Sequence, residues 1–195
     1  MPYGYYGYYF DPTYILIIIA AIISLIAQWR VNSAFSKYSR VASMSGMTGA
    51  QAARMILQSN GINDVSVQRI SGKLTDHYNP STKVLNLSES VYGSTSVAAI
   101  GVAAHECGHA VQHQVGYVPI KIRNGIVPIV NVCNTLSMPI FIIGLILGLG
   151  RLAMVGAILF GAVLVFQLVT LPTEINASRR AMKTLESMYL LEGDE

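Results

Sequence analysis

Residues 103–114 read AAHECGHAVQHQ, and within them His105, Glu106, Cys107, Gly108 and His109 form the pattern H-E-x-x-H. On a helix, positions four apart share a face, so the imidazoles of His105 and His109 can reach one metal ion. Glu106, beside the first of them, is placed to reach a water on that metal rather than the metal itself. Zinc brings the pKa of such a water to about 7, and a neighbouring carboxylate can take its proton and hand it to a leaving amine. Cys107 falls on another face of the helix and reads as a small apolar filler. Gly108 leaves room for a second backbone or a substrate to come close.

A catalytic zinc needs a third protein ligand and an open position. His113 lies one helical turn beyond His109, but a straight helix does not readily wrap three successive turns around one ion. The stronger candidate is Glu174, in LPTEINASRRAM (171–182). Pro172 there is expected to end the preceding helix or start a new one, with Thr173 as its cap. Ser178, one turn after Glu174, is placed to hydrogen-bond a ligand histidine and fix its orientation. Arg179 is expected to brace the ligand helix or to anchor a carboxylate.

The elements that must bring these residues together are mostly membrane helices. Of 195 residues, 52% are apolar and 12% charged, about half the charged share of an ordinary soluble domain. The net charge of +3 is spread along the chain, with no basic stripe or groove-reading motif, so nucleic-acid binding is not expected. Two cysteines, Cys107 and Cys133, are too few for a disulfide framework. After a Tyr/Gly-rich tail (1–12), residues 13–29 form a first membrane span, with Trp29 at one end. Without a basic segment before it or a small-residue cleavage site after it, it does not read as a signal peptide.

Arg30, Lys37 and Arg40 follow that span directly, and six more Lys or Arg occur before residue 125. The positive-inside rule then puts the N-terminus outside and residues 30–125 in the cytoplasm. Residues 126–171 form a spanning helical hairpin that turns at GLGR (148–151), with Gly144 and Gly148 spaced for close helix contact. Asn131 and Asn134 are expected to hydrogen-bond between the two helices. Two passes bring the chain back to its starting side, so residues 172–195, with Glu174, join the cytoplasmic HExxH segment. Within 30–125 the pattern predicts a helix over 48–61 capped by Thr48 and ended by Gly61, a strand over 65–70, and a hairpin of 73–78 with 83–88. The motif helix is expected from Ser94 to about Val115.

HECGHAVQ, followed after a hydrophobic hairpin by E-x-N-A-S-R-R-A, resembles the bacterial membrane neutral zinc metallopeptidases of the YugP type, distant relatives of the HtpX-like membrane gluzincins. The resemblance extends to TGAQAARMIL, NGINDV, LTDHYNPSTKVLNLS and SVYGSTSVAAIGVAAHE, most of the chain. It implies a mainly α integral membrane protein with three transmembrane helices and a small α+β gluzincin-like metalloprotease domain. It also implies one zinc per chain on His105, His109 and Glu174, with Glu106 as the acid–base residue. In HtpX-like relatives the residue four after the ligand Glu is usually Asp; here it is Ser178. Family members tend to continue into a further apolar segment, whereas this chain stops at LLEGDE, so a shortened form is expected.

In gluzincin-like folds an edge strand beside the motif helix holds the substrate backbone, which draws attention to Asp76, His77, Tyr78 and Asn79. His77 or Tyr78 could stabilise an oxyanion there; a structural turn carrying an exposed histidine is the plainer reading of the same residues. The expected activity is a zinc endopeptidase acting on polypeptide, membrane proteins among its substrates, at the cytoplasmic membrane surface. Two rivals remain at this point. An intramembrane protease of the site-2 type wants an Asp ligand from a later span, and neither apolar run after the motif holds Asp or Glu. A non-catalytic metal-binding scaffold has no use for Glu106.

Overall fold

The computed structural model describes residues 13–191; the Tyr/Gly-rich tail and the last four residues lie outside it. The chain divides into two compact units, meeting at Val41–Ala42. The first contains α1 (Thr13–Tyr38), apolar through most of its length and exposed along its described side chains. It continues nine residues past Trp29, so the basic residues Arg30 and Lys37 are carried on the helix itself.

The second unit starts with α2 (Gly49–Ser59). Thr48 caps it as expected, its hydroxyl accepting from the Gln51 N–H while the Gln51 side chain accepts from the Thr48 N–H. Gly61, just past the end, takes φ +70°. Strands β1 (Ser66–Ile70), β2 (His77–Asn79) and β3 (Val84–Ser88) make one sheet in the order β1-β3-β2. In it β1 runs parallel to β3, and β2 runs antiparallel to it. The expected hairpin is present, but its first strand is shorter than the 73–78 pattern suggested. Gly72 and Leu74 both have positive φ, and the Asp76 carboxylate turns away to accept from the Ser88 N–H and hydroxyl. Asn79 closes the hairpin by accepting from the Ser81 and Thr82 N–H groups.

A one-turn helix, α3 (Glu89–Tyr92), separates the sheet from α4 (Val97–Gln114), which carries the motif and is capped by Ser96. The break at Gly93–Ser96 starts α4 three residues later than the pattern from Ser94 suggested. Ala99, Ile100, Ala103, Ala104 and Cys107 on α4 are buried with Ala52, Ala53, Ile56 and Leu57 of α2 and with Leu85 and Leu87 of β3. This is the core of the domain, and α4 runs through it.

Then come α5 (Val118–Ile146) and α6 (Gly150–Ser187), an antiparallel pair joined by a three-residue turn. Their outer faces expose Ile129, Val132, Ile142, Leu164, Leu168 and other large apolar side chains, as helices bathed in hydrocarbon do. At about 1.5 Å per residue both exceed the roughly 30 Å of a bilayer core. Among the described residues three helices, α1, α5 and α6, are long and apolar enough to span. The protein is a mainly α membrane protein with a small α+β domain.

Of the expectations about the hairpin, that for Gly144 holds and three change, those for Gly148, for Asn131 with Asn134, and for Pro172. Gly144 is a contact glycine, since a Cβ there would meet Ala153 N at 2.3 Å. Gly148 has open space and φ +65°, so it forms the turn rather than the helix contact. The second close approach is instead at Gly156, against Phe141. Asn131 and Asn134 do not bridge the helices: both are exposed, and among the described residues neither side chain hydrogen-bonds to α6. Pro172 neither ends nor restarts a helix, because α6 runs through it unbroken to Ser187. Proline removes one backbone hydrogen bond and crowds the preceding turn, yet long membrane helices absorb it when packed against neighbours. Glu174 therefore stands on the same rigid rod as the span.

Candidate metal centre

α4 and α6 meet at Gly108, where a Cβ would lie 2.7 Å from the Ala177 carbonyl oxygen. The closeness expected of that glycine is thus realised against a helix backbone, and it brings the turn 173–178 of α6 against His105 and His109. The two imidazoles lie edge to face with centroids 4.9 Å apart. Their Nε2 atoms are 3.3 Å (His105) and 3.4 Å (His109) from Glu174 Oε2. Ligand atoms of the three residues all lie within 4.8 Å of one another, and among the described residues they form the one such His/Cys/Asp/Glu group.

The donor set fits zinc. Ligands about 2.1 Å from a tetrahedral zinc stand about 3.4 Å apart, close to the two nitrogen–oxygen distances here. Both Nδ1 atoms face away from the cluster toward acceptors: His105 Nδ1 is 3.2 Å from Ser178 Oγ, and His109 Nδ1 is 3.1 Å from Gln112 Oε1. With Nδ1–H donated outward, each Nε2 carries the lone pair that a metal requires.

Behind His109 the bonding continues. Gln112, wholly buried, donates from Nε2 to the Thr173 carbonyl (2.8 Å) and to Asn176 Oδ1 (3.0 Å). Asn176 Oδ1 also accepts from Arg180 Nε at 2.8 Å. Arg123, from the first turns of α5, brings Nη2 to 3.5 Å from the other carboxylate oxygen of Glu174. Sequence reasoning assigns no role to Gln112, Asn176, Arg180 or Arg123. The available signal is that Gln112 closes HECGHAVQ and that Asn176 and Arg180 lie within E-x-N-A-S-R-R-A, the stretches that carry the resemblance. Bracing of α6 runs through Arg180; Arg179 is exposed.

Glu106 is buried beside the cluster, and its Oε2 accepts from the Tyr78 backbone N–H at 3.1 Å. Burial raises its carboxyl above the usual carboxylate range, an effect partly offset by the imidazoles of His109 and His105. The carboxylate of Glu174 pulls the His105 imidazole upward, against the effect of burial. Burial raises the Cys107 thiol too, and its Sγ points to the Ala53 carbonyl in the core, as a filler's would.

The Tyr78 hydroxyl lies 3.1 Å from His113 Nδ1, so His113 contacts the edge strand and lies outside the ligand cluster. His77 sits apart on the surface, its ring between the Thr75 carbonyl (2.8 Å) and Asn86 Nδ2 (3.1 Å). Asp76 is taken up by Ser88.

Residues 13–195 match the family described as "Putative neutral zinc metallopeptidase". Over 183 residues the chain is 46% identical to the "Putative membrane protease YugP" of Bacillus subtilis (strain 168), a match covering 93% of this chain and 81% of that protein. No solved structure matches the chain.

Proposed function

The chain belongs to the neutral zinc metallopeptidase family, and from that premise we propose a membrane endopeptidase that cuts extended polypeptide at the cytoplasmic face, using one zinc held by His105, His109 and Glu174. The observation that carries this reading is the position of Glu174 Oε2, within 3.4 Å of both histidine Nε2 atoms. When bound, zinc supplies a Lewis acid that makes water nucleophilic near neutral pH and polarises a peptide carbonyl.

Glu106 is the acid–base residue. The Tyr78 N–H holds one carboxylate oxygen in place, and the raised pKa suits a group that must first accept a proton and then release it. β2 lies at the edge of the sheet and packs beside α4, so its unpaired backbone groups are suited to bind an extended peptide as an added strand. Tyr78 N–H is already directed to Glu106, which ties the edge strand to the catalytic group. For the Tyr78 hydroxyl to stabilise an oxyanion it would have to leave His113. The bonds made by His77 favour a structural role in the hairpin.

The basic residues at the end of α1 and beyond it, Arg30, Lys37 and Arg40 first among them, favour a cytoplasmic domain and an external N-terminus. α4 is not among the helices long and apolar enough to span, and its burial against α2 and β3 favours a domain helix over the site-2 arrangement. The deciding experiment is Glu106→Gln, assayed on a casein-like unfolded substrate with zinc content measured in parallel. Activity should fall about 10²–10⁴-fold with zinc retained. Undiminished hydrolysis would end the assignment of Glu106 and, with it, the metallopeptidase mechanism.

A further inference from the structure

On the far side of α4 from the edge strand, a cavity of about 380 Å³ opens between α2, α4 and α6. One wall is apolar, made by Ile56, Ala104, Val111 and Met188. The other carries Arg180 and Lys183, one helical turn apart, and among the described residues the lining has no acidic side chain. Lys183 stands at the rim, shared with an adjoining surface that also holds Glu174 and Glu186, whereas Arg180 lines the cavity alone. Arg180 is anchored by Nε to Asn176, and its two terminal nitrogens have no partner among the described residues. Lys183 is exposed and has none there either. A guanidinium held at one edge, with its outer edge open over an apolar hollow, is preorganised to bind an anion.

The anchor reaches the metal centre. Arg180 Nε and Gln112 Nε2 share Asn176 Oδ1, and Gln112 Oε1 accepts from the Nδ1 of His109. Any ligand that draws on the guanidinium acts on a three-bond chain ending at a histidine of the cluster. Gly108 also lines this cavity, so its wall includes the point where the two helices touch.

We propose that this cavity is an effector site for small amphipathic anions, a phosphate or carboxylate head on Arg180 and Lys183 with an apolar portion against Ile56, Val111 and Met188, and that occupancy tightens the hold of His109 on the metal. The coupling rests on His109 being a zinc ligand; the binding does not. A phosphate head could belong to a soluble organic phosphate or to an anionic lipid, and the experiment separates these sources.

Hexyl phosphate is titrated calorimetrically into the full-length protein in phosphatidylcholine nanodiscs, zinc-loaded and metal-free, with hexyltrimethylammonium as the cationic control. Saturable binding of the anion alone is expected, weakened about tenfold by Arg180→Met and severalfold by Lys183→Ala. The second variant changes an exposed side chain and so does not depend on Arg180→Met folding. Inclusion of phosphatidylglycerol in the nanodisc should compete if the natural head is lipid and leave binding unchanged if it is soluble. Zinc release to a chelator, followed by a colorimetric indicator, should slow about fivefold at saturating hexyl phosphate, in the range of ordinary coupling energies. Absence of binding, or binding indifferent to both variants, would overturn the site. Binding to the metal-free protein with unchanged zinc release would overturn the effector role while leaving the peptidase reading untouched.

Discussion

The two histidines of the motif are held in opposite ways. His109 is 6% exposed, and its Nδ1 meets Gln112, itself wholly buried and bonded twice more to α6. The His105 side chain is 28% exposed, and its Nδ1 meets the hydroxyl of a single exposed residue, Ser178. One half of the centre is a closed wall built across a helix interface; the other half opens toward solvent. A buried amide with three bonds cannot turn without breaking them, whereas an exposed hydroxyl is readily replaced by water. The His109 side of the candidate centre is the more firmly fixed, and the His105 side is the more accessible.

Substitutions test that contrast directly. The largest effect belongs to the residue common to both halves. Glu174→Ala should lower zinc affinity by more than about 100-fold, beyond the range of outer partners, as read by elemental analysis across a chelator series. Full occupancy at unchanged affinity would make Glu174 only an acidic residue near the turn. Next comes the closed side. Gln112→Leu strands the His109 Nδ1–H in the interior and removes two bonds from α4 to α6, and zinc affinity should drop toward the upper end of the 10–100-fold range. Smallest is the open side, where Ser178→Ala should cost tenfold or less, because water can accept from the His105 Nδ1–H in place of the hydroxyl. If the Ser178 change costs as much as the Gln112 change, the two histidines are equivalent and the distinction between wall and opening falls. Measuring both by competition with one chelator makes the comparison quantitative.

A second contrast, between the two polar sets on the membrane hairpin, shows how far sequence reasoning reaches. Ser178 was legible as a partner for a histidine of the motif, since it stands one turn from Glu174 and a helix puts such residues on one face. Asn131 and Asn134 share a face by the same rule, but both are exposed and, among the described residues, neither side chain bonds to α6. Periodicity identifies which residues lie together, not which neighbour they meet. Gln112, Asn176 and Arg180 were missed for a related reason. Gln112 and Asn176 are 64 positions apart, and no local pattern announces a hydrogen bond formed only when two helices touch. Pro172 misled because its local effect, a lost backbone bond, is outweighed by the packing of the long helix that runs through it.

What the sequence determined by itself is the chemistry available and the medium it works in. The H-E-x-x-H spacing commits two imidazoles and a carboxylate to one helix, long uncharged apolar runs leave the bilayer as their solvent, and Thr48 and Gly61 mark helix ends through bonds a few residues long. Only the tertiary structure decided how the centre is closed. The unbroken course of α6 through Pro172, the contact of Gly108 with Ala177, and the chain from His109 through Gln112 and Asn176 to Arg180 depend on the depth and rotation at which two helices pack. Those quantities come from the sum of many weak contacts across the interface, and no short stretch of residues contains them.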